Sequence, residues 1–191
     1  MSAPDIDKER SETEIIAARF QLTKPAAALL APELSPGEFA ATLLQHGQVN
    51  DAIQFIAHAL SARDAVWWAC QCARQSMNTE TPRDEEAAVV AAERWVTELT
   101  DEARRDAFLA ANTAGVGTAA GCAALAVFHT GGSLAPPEAS PVLPSEFAFA
   151  PLAAGSVILA TLDPDPARRA ELARNYVQQG VAFYSAAAAP A

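Results

Sequence analysis

The residues best suited to chemistry in this 191-residue chain lie between Trp67 and Cys72, where two tryptophans and two cysteines occur within six positions. One interpretation is a thiol or metal site against an aromatic wall, with His58 nearby in sequence. On a helix, however, Cys70 and Cys72 point about 200° apart, so they cannot readily hold one ion. Zinc would also need further ligands, and the chain has only three histidines. We therefore predict that this run belongs to the core and that the protein binds no metal and no cofactor.

A second candidate is the run 115–121, GVGTAAG, which imitates the glycine-rich loop of dinucleotide-binding proteins. It departs from that pattern at Ala120, and a helical pattern rather than a strand precedes it. A phosphate at the start of the following helix and a tight turn between two helices are both open interpretations. Because the chain also contains no G-x-S-x-G, H-E-x-x-H or P-loop motif, we nominate no catalytic residue and do not expect an enzyme.

The candidate partner-binding residues are Trp67, Arg63 and Arg74. Adjacent positions on a helix point about 100° apart, so burying both Trp67 and Trp68 would need an unusually wide apolar face. We predict that Trp68 is the deeper residue and Trp67 the more accessible one. A tryptophan flanked by arginines has the composition of an interface hot spot. The alternative is that a proline-rich loop over residues 131–146 covers Trp67.

Helix signals recur along the chain and would position these residues. The sequence is rich in alanine, the best helix former. Helix starts are predicted at Ser35, Ser61, Thr81 and Thr100, where a capping side chain is followed by an acidic residue. A buried stripe is predicted on one helix, formed by Ala88, Ala91, Ala92, Trp95 and Leu99. Residues 118–128 are apolar on all sides, which predicts a central buried helix. The adjacent Arg104 and Arg105 are predicted to lie on a solvated helix face.

These patterns predict an all-α protein, a single compact domain of about seven to nine helices. Residues 1–10 are predicted to form an acidic flexible tail, and residues 11–187 the domain. Four prolines and two glycines exclude regular helix over residues 131–146. We expect this long loop to lie within the domain, before its last two helices.

Composition excludes several classes of partner. The formal net charge is −10 and only two lysines occur, whereas nucleic-acid binding needs clustered basic residues. The same charge disfavours an anionic membrane surface, and no apolar stretch is long enough to cross a bilayer. Three cysteines form no disulfide framework, which favours a reducing compartment. We expect a cytoplasmic protein that binds neither nucleic acid nor membrane.

Three segments resemble a bacterial family of uncharacterised proteins of about this length. These are Asp64–Ala69 with its VWWA run, the run 117–121, and 131–137 with its GGS-x-APP pattern. The resemblance extends from about Phe20 to Tyr184 and brings no assigned activity or catalytic residue. Some relatives are associated with type VI secretion components, which implies an accessory or adaptor role.

Two functions are therefore expected from the sequence. The first is a non-enzymatic protein-interaction or adaptor module of a cytoplasmic bacterial assembly, with a secretion-system accessory as its most specific form. The alternative is a small-molecule-binding protein or an enzyme whose site lies under the 131–146 loop. A flat exposed apolar patch would favour the first, and a deep pocket with convergent polar groups the second.

Overall fold

The computed structural model describes residues 10–188, and within that range the chain forms ten α-helices and no strand. In chain order they are α1 (Glu12–Ala17), α2 (Lys24–Ala27), α3 (Pro36–Gln45), α4 (Val49–Ala59), α5 (Ala62–Ser76), α6 (Arg83–Glu98), α7 (Asp101–Ala114), α8 (Ala119–Phe128), α9 (Ala150–Ala160) and α10 (Pro166–Ala188). The predicted all-α, single-domain architecture is confirmed, with one helix more than the predicted upper number. Of the predicted tail, residues 1–9 lie outside the described residues.

Capping side chains determine where several helices begin. Ser11 with Glu14 and Ser35 with Glu38 form capping boxes, in which each side chain accepts the other residue's backbone N–H. Each box satisfies two N–H groups that a helix start leaves without partners. Hydroxyl caps of the same kind begin α5, α7 and α8, at Ser61, Thr100 and Thr118.

Helix α8 lies at the centre of the domain, as its uniformly apolar sequence predicts. Eight of its ten residues are buried, and it contacts α5, α6, α7 and α9. A Cβ added to Gly121 would lie 2.0 Å from the carbonyl oxygen of Gly115, so only glycine fits there. Gly115 itself has φ +84°, in the left-handed region that glycine adopts without strain.

The long helix α10 is fixed to the bundle through Trp68. This side chain is fully buried, and its Nε1 donates to the backbone carbonyl of Tyr176 over 2.9 Å. A Cβ added to Gly180 would lie 2.5 Å from Ile56 Cγ2 and 2.9 Å from Trp68 Cε2. The bare backbone at Gly180 therefore lets α10 approach both α4 and α5.

The segment between α8 and α9 is irregular and folds back on itself. Ser133 Oγ accepts the N–H groups of Ala135 and Val142, each over 3.1 Å. The N–H of Leu134 donates to the carbonyl of Val142 over 2.8 Å. Val142 and Leu143 remain exposed at the outer part of the loop.

Two interpretations of individual residues were wrong. Leu99 does not belong to the buried stripe of α6. It is 55% exposed and has φ +53°, because it ends the helix in the left-handed conformation common at helix C-termini. Arg104, which the sequence places on a solvated helix face, is only 3% exposed, because backbone carbonyls of the loop and of α8 accept its N–H groups.

Candidate functional site

The tryptophan pair is oriented as predicted. Trp68 is fully buried, whereas Trp67 is half-buried and lies at the edge of the core. A shallow depression of about 320 Å³ lies beside Trp67, between α5 and α6, and its other lining residues are Arg63, Asp64, Val96 and Thr97. The lining residues come from α5 and α6, and none of them belongs to the 131–146 loop.

The two arginines near Trp67 are both bound to α6. Arg63 Nε donates to the carbonyl of Val96 over 2.9 Å, in the last turn of that helix, where a cation is favoured by the helix dipole. Arg74 makes a bidentate ion pair with Glu93, in which Nε donates to Oε1 over 2.8 Å and Nη2 donates to Oε2 over 2.6 Å. These contacts hold both arginines against α6.

The cysteine and glycine motifs are structural. Cys70 and Cys72 are fully buried, and burial raises the pKa of both thiols. At the start of α8, Thr118 Oγ1 accepts the N–H of Gly121 over 3.0 Å and donates to the carbonyl of Gly115 over 2.9 Å. This closed turn supports the helix-packing interpretation, since the protein's own side chain and backbone occupy the helix start. Within residues 10–188, no group of three His, Cys, Asp or Glu side chains is placed to hold a metal.

A second cleft, of about 640 Å³, lies where the 131–146 loop ends. Its lining combines aromatic rings, an arginine and several amides and hydroxyls, and comprises Arg19, Phe20, Gln21, Gln54, His58, Ser145, Glu146, Phe147, Ala148 and Pro151. The α1–α2 connection, α4 and the start of α9 therefore meet here. We call this the His58 cleft.

Aromatic stacking organises the His58 cleft. The imidazole of His58 stacks on Phe20 with ring centres 4.7 Å apart and an angle of 16° between planes. Phe147 lies 6.4 Å from the same imidazole, and the guanidinium carbon of Arg19 lies 4.3 Å from the centre of the Phe147 ring. Arg19 Nη1 also donates to the backbone carbonyl of His58 over 2.6 Å.

His58 is 3% exposed, and its environment favours the neutral imidazole. Burial lowers its pKa, the hydrogen bond with Gln54 opposes that shift, and the charge of Arg19 lowers the pKa further. Nδ1 lies 2.8 Å from the backbone carbonyl of Gln54 and is therefore the protonated nitrogen. Nε2 is left as an acceptor, and no described residue donates to it.

A protein-family model matches residues 39–184, well over half of the chain. The chain belongs to the family of unknown function DUF6931. A comparison with curated proteins found no match, and a comparison with solved structures found none either. The DUF6931 match includes Trp67, His58 and Phe147, whereas Arg19 and Phe20 precede it.

Sequence reasoning did not find the His58 cleft in this DUF6931 protein. His58 appeared only as a neighbour of the cysteine run, and Arg19 and Phe147 did not appear as candidates. The available signal was a histidine inside the otherwise apolar run 55–60, where a buried polar side chain needs a partner. Its partners lie 38 and 89 residues away in sequence, at Phe20 and Phe147, so no local spacing reports them.

None of the helices that the structure describes is both long and apolar enough to cross a membrane.

Proposed function

We propose that the protein is a non-enzymatic interaction module that binds a partner protein through the α5–α6 face around Trp67. The observation that carries this proposal is a tryptophan left half-buried beside a depression, on a face made of two packed helices. Tryptophan and arginine are the residue types most enriched among binding hot spots.

The contacts of Arg63 and Arg74 with α6 support the same proposal. Both side chains are held before any partner arrives, so binding loses less side-chain entropy than it would with free arginines.

In its most specific form, the proposal makes this protein a cytoplasmic adaptor of a bacterial assembly, such as an accessory of a secretion system. Two observations support this specific form of the proposal. One is the resemblance described above, and the other is the acidic composition, which disfavours nucleic acid and anionic membranes as partners.

The test is capture of partners from the native host, identified by mass spectrometry, with wild type and Trp67→Ala compared side by side. We expect Trp67→Ala to abolish capture of the specific partner while lowering the Tm by no more than about 4 °C. Leu109→Ala is the matched control, because it removes an exposed apolar side chain from α7. A Trp67→Ala protein that keeps its partner would refute this surface, and one that unfolds would place Trp67 in the core.

A second candidate function is binding of a small molecule in the His58 cleft. The observation that favours it is the buried His58 with its free Nε2, in a cleft that Ser145 and Glu146 of the loop also line. This position agrees with the alternative site expected under the 131–146 loop. A thermal-shift screen of metabolites with wild type and His58→Phe would test it.

A further inference from the structure

We propose that the His58 cleft binds an α-amino carboxylate, that is, a carboxylate with an N–H group on the neighbouring carbon. In this arrangement Arg19 binds the carboxylate and His58 Nε2 accepts the N–H, while Phe20 and Phe147 contact an apolar side chain of the ligand. This inference rests on the second candidate function and names its ligand class.

Arg19 supplies the first part of the argument, because its charge has no partner in the described chain. Within residues 10–188, the arginines that pair with carboxylates are Arg74, Arg94, Arg104, Arg105 and Arg168. Arg19 has one hydrogen bond there, to the carbonyl of His58, and its remaining N–H groups are available. Because guanidinium geometry matches carboxylate oxygens, a carboxylate is the ligand group that suits these donors best.

His58 supplies the second part, because its Nε2 is an acceptor to which no described residue donates, and His58 lines the cleft. Its ring is held by Phe20 and by the Gln54 carbonyl, so Nε2 cannot turn away to find another partner. A ligand N–H placed in the cleft would donate to this open acceptor.

The aromatic rings connect these two polar contacts. The Phe147 ring lies beside both the Arg19 guanidinium and the His58 imidazole. The carboxylate-binding group and the N–H acceptor are therefore on either side of the same aromatic ring. The cleft volume of about 640 Å³ falls within the range of about 300–1,000 Å³ that small-molecule sites occupy. An aromatic or large aliphatic side chain fits such walls.

Glu146 sets an upper limit on the ligand's negative charge. Glu146 is one of the residues that line the same cleft, and the whole chain carries a formal net charge of −10. A phosphate ester with about two negative charges would be repelled more strongly than a carboxylate with one. Both a free amino acid and the C-terminus of a polypeptide present the proposed chemistry with an acceptable charge.

Titration of the wild-type protein tests the ligand class without any substitution. The probes are N-acetyl-phenylalanine, N-acetyl-phenylalanine amide, phenylalanine and inorganic phosphate, followed by NMR and calorimetry. We expect the acetylated acid to bind at millimolar concentration and to shift signals of Gln21, Gln54 and His58, with the amide at least about tenfold weaker. Stronger binding of phenylalanine would identify a free amino acid as the source, and stronger binding of the acetylated acid a chain terminus.

Variants test the assigned roles. Arg19→Gln should weaken binding of the acid at least about tenfold, and His58→Phe, which keeps an aromatic ring against Phe20, should weaken both acid and amide. Arg174→Gln is the matched control, because it removes one arginine charge from a different groove, between α3 and α10. Thermal unfolding checks that each variant is folded. If Arg19→Gln does not fold, the comparison of the acid with the amide in the wild-type protein still decides the question.

Three results would overturn the proposal: equal binding of acid and amide, phosphate binding as strong as that of the acid, or no binding of any carboxylate at about 10 mM. Unchanged affinity in folded Arg19→Gln would do the same. If other small molecules still shift the His58 signals, the cleft remains a binding site and only the ligand class is wrong. The Trp67 proposal is independent of every one of these results.

Discussion

Near each end of the irregular segment between α8 and α9, an arginine stacks on a phenylalanine ring. The two arginines differ in how many hydrogen bonds they make with the rest of the protein. At the start, the guanidinium carbon of Arg104 lies 4.7 Å from the centre of the Phe128 ring. At the end, that of Arg19 lies 4.3 Å from the centre of the Phe147 ring. The stacking is similar, and the difference is in the hydrogen bonds around it.

Arg104 is held by the protein itself through four hydrogen bonds. Its N–H groups donate to Asp101 and to the carbonyls of Phe128 and Ser133, over 2.6–2.8 Å. Arg19 instead has one backbone carbonyl and, within the described chain, no carboxylate. An arginine that donates four hydrogen bonds to the fold is part of the structure, whereas one that donates a single bond has N–H groups left for a ligand. We call the end of the loop at Arg104 the structural end and the end at Arg19 the binding end.

The largest effect should come from Trp95, which lies beside Arg104 at the structural end. Trp95 is 7% exposed, as predicted from its helical stripe. We expect Trp95→Ala to lower the free energy of unfolding by about 3–5 kcal/mol, since it leaves a large cavity. Urea denaturation measures this, with the exposed Val90→Ala on the same helix as the control. A loss below about 1 kcal/mol would show that this end is not part of the core.

Substituting the two stacked arginines tests the comparison directly. Arg104→Met should lower the free energy of unfolding by about 2–4 kcal/mol, because two backbone carbonyls lose their donors. Arg19→Met should cost about 1 kcal/mol or less, because it removes a single such bond. Arg94→Met is the control, because this exposed arginine bonds to the carboxylates of Glu98 and Asp106 and to no backbone carbonyl. Equal losses for Arg104→Met and Arg19→Met in urea denaturation would remove the distinction.

The structural end also contains the strained residue Leu99. Its φ of +53° is unusual for a side chain with a Cβ, and the side chain is exposed. Leu99→Gly should therefore raise the free energy of unfolding by about 0.5–1 kcal/mol. Leu109→Gly, which changes an exposed leucine inside α7, should lower it by about 1 kcal/mol. Destabilisation by Leu99→Gly would mean that the leucine side chain makes a contact that outweighs the strain.

The fold could be predicted because its signals are local. A serine followed by a glutamate three positions later begins a helix at Ser35 whatever lies around it, and the apolar run 118–128 has few ways to avoid burial. Leu99 was mispredicted because helical spacing alone does not show where the last turn ends. Arg104 was mispredicted because two of its partners are backbone carbonyls. Every residue has a backbone carbonyl, so the sequence gives no sign of which ones accept a hydrogen bond.

The His58 cleft could not be predicted for a related reason. It joins a helix connection near residue 20, the middle of α4 and the end of an irregular loop, and it depends on tertiary packing between them. The loop has no periodicity, so its course over the surface is not encoded in spacing. Trp67 could be ranked as the more accessible tryptophan because the residues used for that ranking, Arg63 and Arg74, lie on the same helix.

The smallest effect expected is a pH dependence that belongs to the binding end. In the folded protein burial lowers the pKa of His58 below the value of about 6.5 expected in the unfolded chain. Between these two pKa values the unfolded chain binds more protons than the folded one, so stability falls as the pH is lowered below about 6.5. The contribution of His58 is fully present above that pH, and its slope cannot exceed about 1.4 kcal/mol per pH unit.

The measurement is the free energy of unfolding of wild type and His58→Gln from about pH 7.5 to about pH 5.5, a range chosen around the ordinary histidine pKa. Because glutamine cannot take up a proton, the free energy of unfolding of the variant should depend less steeply on pH than that of wild type. His46→Gln shows what removal of an exposed histidine does to the same curve. Identical slopes for wild type and His58→Gln would mean that His58 takes up its proton equally well in the folded protein. The neutral Nε2 acceptor, on which the carboxylate proposal depends, would then be absent over part of the neutral range.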